Sequence, residues 1–208
     1  MRRFLVYLLA GLLLPAAARA LTVVPRSFDE LVARSDTAFK GTVTTVSPQW
    51  TGTGAERHIV TFVTFRVEET YKGDAAGTRT LRFFGGTVDG VTMEVPEVPR
   101  FAPGQVAVLF ETGNGQIFCP LVGVHQGRFH VARDGAGVER VTTDDGSPVT
   151  STAEIGQLEA DGTPVLRRHA LAHEPGMTLD GFRTEVCNKA AALAAHLPGT
   201  APVNQPQP

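Results

Sequence analysis

The 208-residue chain is poor in cysteine, lysine and tryptophan, with two, three and one residue of each. Two cysteines cannot build a four-ligand zinc ribbon or a disulfide-dense scaffold. There is no excess of positive charge: 19 basic residues face 21 acidic ones, for a net charge of −2. That balance disfavours polyanion partners such as nucleic acid or an anionic membrane surface. After the first 20 residues no apolar run approaches the roughly 20 residues that a spanning helix needs, so no membrane insertion is expected there. The chain holds no G-x-S-x-G elbow and no internal repeat, which removes one common hydrolase class and the solenoids.

What the chain does have begins at its first residues. Arg2 and Arg3 form a positive n-region, Phe4 to Leu14 an apolar h-region, and Ala18-Arg19-Ala20 fits a signal-peptidase site. We read residues 1–20 as a cleaved signal peptide, Leu21 as the mature terminus, and the location as periplasmic or secreted. No Cys follows the h-region to take a lipid. Without the leader, 16 basic residues face 21 acidic ones, a net charge of about −5. The 188 residues that remain suffice for one domain with a real core.

Ser27-Phe28-Asp29-Glu30 has the form of a capping box, and Phe28, Leu31 and Val32 predict a short helix to about Ser35. Ala38 to Val46 reads as a strand, and Ser47 to Arg57 as a polar loop. Ile59, Val63, Phe65, Val67 and Tyr71 then alternate along a long strand. A strand of that length suggests a coiled sheet or barrel. Glu68 and Glu69 are adjacent on it, so alternation points them to opposite faces.

Thr80–Phe84 and Val91–Val95 flank Gly85-Gly86 and an Asp89-Gly90 turn; Val106–Phe110 and Ile117–Val124 flank an Asn114-Gly115 turn. Arg128–Ala132 and Val138–Val141 form a last hairpin. Pro120 cannot donate to a ladder, so its strand should be an edge or carry a bulge. Phe101 should tuck into the core. The fold class expected is mainly β (α+β): an antiparallel β-barrel with a capping helix before it and an amphipathic helix behind. Residues 21–142 form the barrel domain with its capping helix, 143–177 a loop or linker, 178–196 the helix capped by Thr178, and 197–208 a disordered tail.

Ser27-Phe28-Asp29-Glu30-Leu31, Phe39-Lys40-Gly41-Thr42-Val43, Tyr71-Lys72-Gly73, Gly85-Gly86, Arg100-Phe101-Ala102-Pro103-Gly104 and Gln126-Gly127-Arg128-Phe129 occur here in that order. From about Val24 to Val131 the chain resembles a family of exported bacterial proteins of unknown function. More distantly it resembles the netrin-type module of tissue inhibitors of metalloproteinases. The resemblance implies an OB-like barrel over Phe39 to Val131. Inhibition in that family needs an amino-terminal Cys that chelates the target's zinc. The expected terminus here is Leu21-Thr22-Val23, with no Cys before Cys119, so only the fold analogy carries over.

Few residues invite a chemical role. Cys119 and Cys187 could form a disulfide in an oxidising compartment; the bridge would close a 69-residue loop, worth roughly 4 kcal/mol, and two thiols that never meet are the equal alternative. His169 and His173 have the i, i+4 spacing that zinc uses, but no third ligand stands near, so neither a metal nor any other cofactor is expected. Lys40 and Lys72 read either as solvated charges at strand ends or as binding contacts. Trp50 reads either as a contact for a partner or glycan or as packing under the barrel end. The function expected is an exported, non-catalytic module that binds a protein partner. The alternative is a cell-envelope hydrolase built on His125 or His130, testable by what lies within reach of either imidazole.

Overall fold

In the computed structural model, residues 24–196 are described. The leader expected at 1–20 and the tail expected at 197–208 lie outside them. Helix α1 (Phe28–Arg34) starts where the capping box places it: Ser27 Oγ accepts the Glu30 N–H, and the Glu30 carboxylate accepts the Ser27 N–H. Eight strands follow: β1 (Thr37–Thr51), β2 (His58–Lys72), β3 (Thr78–Phe84), β4 (Gly86–Val88), β5 (Val91–Met93), β6 (Val106–Glu111), β7 (Arg128–Arg133) and β8 (Glu139–Thr143). Helices α2 (Val165–Leu171) and α3 (Leu179–His196) complete the chain.

Six strands form one antiparallel sheet in the order β3-β2-β1-β6-β7-β8, with β4-β5 as a separate hairpin. Strand β6 is buried on both faces, and its side chains sort the core into two clusters. Val108 and Phe110 join Phe28, Leu31, Phe129, Phe182 and Val186 beneath α1 and α3. Ala107 and Leu109 join Phe39, Phe65, Leu81 and Phe83 on the other face, where Phe101 packs edge-on against Phe65. Burying a Phe or Leu contributes about 1.5–3 kcal/mol, so the two clusters pin β6 from both sides.

The sheet does not close into a barrel. Both of its edges are instead occupied by other parts of the chain. On β3, the Asn114 side chain accepts the Arg82 N–H at 3.0 Å and donates to the Thr80 carbonyl at 2.9 Å, while the Phe84 N–H donates to the Phe118 carbonyl. On β8, the Val141 N–H donates to the Met177 carbonyl and the Thr143 N–H to the Ser147 carbonyl. These contacts satisfy backbone groups that would otherwise template pairing with another chain.

Several expectations give way here. Ile117 to Val124 is not a strand: Leu121 makes a single bridge to Glu111, because Pro120 interrupts the ladder and Asn114 is drawn to the β3 edge. The polar stretch after Val46 continues β1 to Thr51, paired with His58 at the far end. Residues 143–177 are no linker, since Val149, Ile155 and Leu166 are buried in the helix-side cluster. Helix α2 ends at Leu171 and His173 has φ 56°, so His169 and His173 do not share a helical face.

Candidate functional site

The two strand lysines are neither solvated nor free to bind. The β1–β2 register runs Lys40↔Glu69 and then Gly41↔Val67, leaving Glu68 as an extra residue on β2. This bulge resets alternation. Glu68 and Glu69 therefore do not point to opposite faces: their carboxylates lie 3.3 and 3.9 Å from Lys40 Nζ, and Glu139 of β8 adds a third at 3.4 Å. An ammonium has three donors, and here each faces a carboxylate. The hydrogen bond from Thr42, with help from Arg66 and Lys40, holds the Glu68 carboxyl below its usual pKa against the effect of burial. Arg183 of α3 and Arg133 of β7 close the ring outside. The cluster ties β1, β2, β8 and α3 together.

Lys72 is a helix cap. Its Nζ donates to the carbonyl of Val32 at 2.6 Å and also to those of Ala33 and Ser35, at the C-terminal end of α1. Burial pulls its pKa down, opposed by Asp36.

Cys119 and Cys187 are both free thiols, one in each core cluster and so on opposite faces of the sheet. The bridge left open by the sequence is not formed. Burial pushes the Cys119 thiol up to about 12.

Three histidines lie against carboxylates. His125 Nδ1 lies 2.9 Å from Glu97 and His130 Nε2 3.6 Å from Asp144. His169 bridges Glu174 at 2.7 Å and Glu154 at 3.0 Å. Among the described residues, no hydroxyl or thiol is hydrogen-bonded to an imidazole, and no group of three His, Cys, Asp or Glu side chains is arranged to hold a metal.

A cavity of about 170 Å³ between Phe129, Ile155 and Leu166 is rimmed by His125, Asp144, Asp145 and Glu154. Its acids are already engaged. Burial would raise Asp144, but the neighbouring His130 and the hydrogen-bonded Arg128 leave it below its ordinary pKa. Asp145 takes the Thr143 hydroxyl and the Ser147 N–H, and Glu154 the Thr150 hydroxyl. Each of these acids is held by at least one partner inside the chain.

Comparison with family models, curated proteins and solved structures gives no match to this chain.

A second cavity, of about 210 Å³, opens where β2 and β3 end against the β4–β5 hairpin. Val46, Val63, Phe83, Met93, Val95 and Phe101 make its walls. The Gly85-Gly86 pair shapes it: both have positive φ (94° and 138°), and a Cβ on Gly86 would collide with the Thr61 hydroxyl. Thr61 Oγ1 donates to the Gly85 carbonyl at 2.6 Å, so the floor keeps its own proton satisfied.

Trp50 stands at this end of the sheet. Pro48 lines the cavity, and Trp50 is the next residue on the same face of β1, about 7 Å further along. Trp50 is half-buried, with the exposed Arg57 guanidinium 4.1 Å over its ring. Among the described residues, Arg57 and Arg82 are the arginines with no carboxylate in ion-pair range. Arg82 lies on the opposite face of the sheet, stacked on Phe84. Sequence reasoning found Trp50 but missed Arg57. The Gly85-Gly86 turn was the signal that could have located the cavity.

Proposed function

We propose that this chain is an exported, non-catalytic module that binds a protein partner through the tip of the β1–β2 hairpin and the apolar cavity beside it. The observation that carries the reading is the pairing of Trp50 with an arginine that has no carboxylate of its own, one strand repeat along β1 from Pro48 in the cavity wall. Trp and Arg are the residues most enriched where a few side chains dominate binding energy. Every other strong cation in reach of an acid is already neutralised within the fold. Export rests on the leader pattern of residues 1–20, and the expected location is the periplasm or the extracellular medium. The strand order β3-β2-β1-β6-β7 and the bulged, coiled β1–β2 pair support an OB-like sheet left open between β3 and β7.

The test is capture from envelope and extracellular fractions with the wild-type chain, with a Trp50→Ala/Arg57→Glu double variant as control. The expected result is a stoichiometric protein retained by the wild type and lost by a variant with unchanged circular dichroism. Equal retention by both, or capture of nothing at micromolar concentration, overturns the reading. Sequencing the amino terminus of the exported protein checks cleavage before Leu21.

A further inference from the structure

We infer that the partner docks through an aromatic side chain and a nearby carboxylate, with the ring entering the cavity under Gly85-Gly86 and the acid meeting Arg57. This deepens the proposed function and rests on it.

Size supports the ring. A cavity of about 150 Å³ lined by Leu, Ile and Phe accommodates benzene, so the 210 Å³ found here suits one large apolar side chain and not a bulky ligand. Chemistry supports it too. The Thr61 proton is committed to the Gly85 carbonyl, and Arg100 and Glu94 at the lip pair with each other at 2.6 Å. A polar group pushed inside would lose its water and gain no partner, which costs more than the contact returns. An apolar group meets no such penalty.

Charge supports the acid. The Arg57 guanidinium lies 4.1 Å over the Trp50 ring with no carboxylate of the chain in ion-pair range, so its donor fork suits a planar acceptor. An acidic protein segment fits better than a polyanion. Of the two arginines without a carboxylate in range among the described residues, one lies over Trp50 and the other on the opposite face of the sheet, and the chain is net negative. A nucleic acid or a sulfated glycan draws its affinity from several such contacts. Strand addition at the outer edges of β3 and β8 would have to displace Asn114, Phe118, Met177 and Ser147.

The spacing is read from strand geometry. Pro48 in the cavity wall and Trp50 beneath Arg57 lie one strand repeat apart on β1, and in an extended peptide residues i and i+2 likewise point the same way about 7 Å apart. The motif is an aromatic residue, any residue, then an acid.

Three capped tripeptides test it by amide NMR titration at millimolar concentration: acetyl-Phe-Ala-Asp-amide, acetyl-Ala-Ala-Asp-amide and acetyl-Phe-Ala-Lys-amide. The first should shift Thr61, Gly85, Gly86 and the Trp50 indole, the second should leave Gly85 and Gly86 unmoved, and the third should bind at least about tenfold more weakly than the first. Arg57→Glu should reverse the order of the aspartate and lysine peptides. Val46→Phe, which narrows the cavity, should abolish the ring-dependent shifts. Equal shifts from the Phe and Ala peptides, or shifts elsewhere on the molecule, overturn the ring. An unchanged aspartate–lysine order in Arg57→Glu overturns the acid. Tighter binding of an oligothymidylate or of heparin at the same resonances assigns the surface to a polyanion and ends the proposal. Silence of all three peptides, alongside partner capture that depends on Trp50, overturns this anchor while leaving the binding-module reading in place.

Discussion

Replacing Lys40 with alanine leaves three carboxylates facing one another with their central cation gone. Removing one member of a buried ion cluster costs about 3–5 kcal/mol, and the glutamates are near one-third exposed, so the loss should fall at the low end. Lys40→Met, which keeps the length, should cost nearly as much, because the unpaired charges and not the packing dominate. Urea unfolding of both variants checks this; a change under about 0.5 kcal/mol would show the cluster to be solvated. Cys119 offers a second residue-level prediction. With its thiol pushed up to about 12, it holds almost no thiolate at neutral pH. Ellman's reagent should modify Cys119 only after denaturant is added, and peptide mapping of the native and unfolded protein reads this out. Rapid labelling of native Cys119 would contradict the burial.

At the scale of elements, what the sequence disclosed depended on whether the deciding contact was local. Helix α1 was legible because Ser27 and Glu30 cap each other within four residues, and α3 because Thr178 accepts the Gly181 N–H just before the apolar stripe. The β2 bulge was not legible, since the extra Glu68 exists only relative to β1, nearly thirty residues away. Glu68 and Glu69 were therefore put on opposite faces, and Lys40 on the surface. The extension of β1 through Pro48 was hidden for a similar reason: Pro48 lies where β1 has already parted from β6, whose pairing ends at Thr42. Asn114 looked like half of a hairpin turn, whereas its amide serves the edge of β3. Asn114→Ala should leave the Arg82 N–H and Thr80 carbonyl without a protein partner, and because the site is exposed to water the loss should be about 0.5–1.5 kcal/mol. Faster hydrogen exchange confined to β3, with a concentration-dependent tendency to self-associate, is the expected signature. Unchanged exchange at Arg82 would assign that protection to something other than Asn114.

For the whole molecule, acid should be the weak direction. Hydrogen bonds and ion pairs hold Glu68, Asp134 and Asp144 below their ordinary pKa values in the folded state. A carboxyl with a depressed folded pKa takes up protons less readily in the native state than in the unfolded one. Its stabilisation is complete above the unfolded value, near 4, and is lost as pH falls through the folded value. The melting temperature should stay level from about pH 7 to pH 5 and drop steeply below about pH 4. Replacing Asp144 with asparagine should flatten part of that drop. A Tm independent of pH down to about 3 would mean that these contacts hold no net stability. The same scale explains why the barrel expectation was only partly met. Strand count, alternation and turns are local signals, but closure depends on what arrives first at the outer sides of β3 and β7. The 113–118 segment arrives at β3, and β8 arrives at β7.

That arrival also separates two jobs that a sheet often has to share. Because the backbone of β3 and β8 is already spoken for, the fold asks little of the exposed side chains at the β1–β2 tip. Residues such as Thr53, Ala55 and Arg57 are exposed and can change without disturbing a ladder or a core cluster. The molecule is thus a frame with a replaceable tip, and a library randomised there should keep its melting point while its binding preferences diverge.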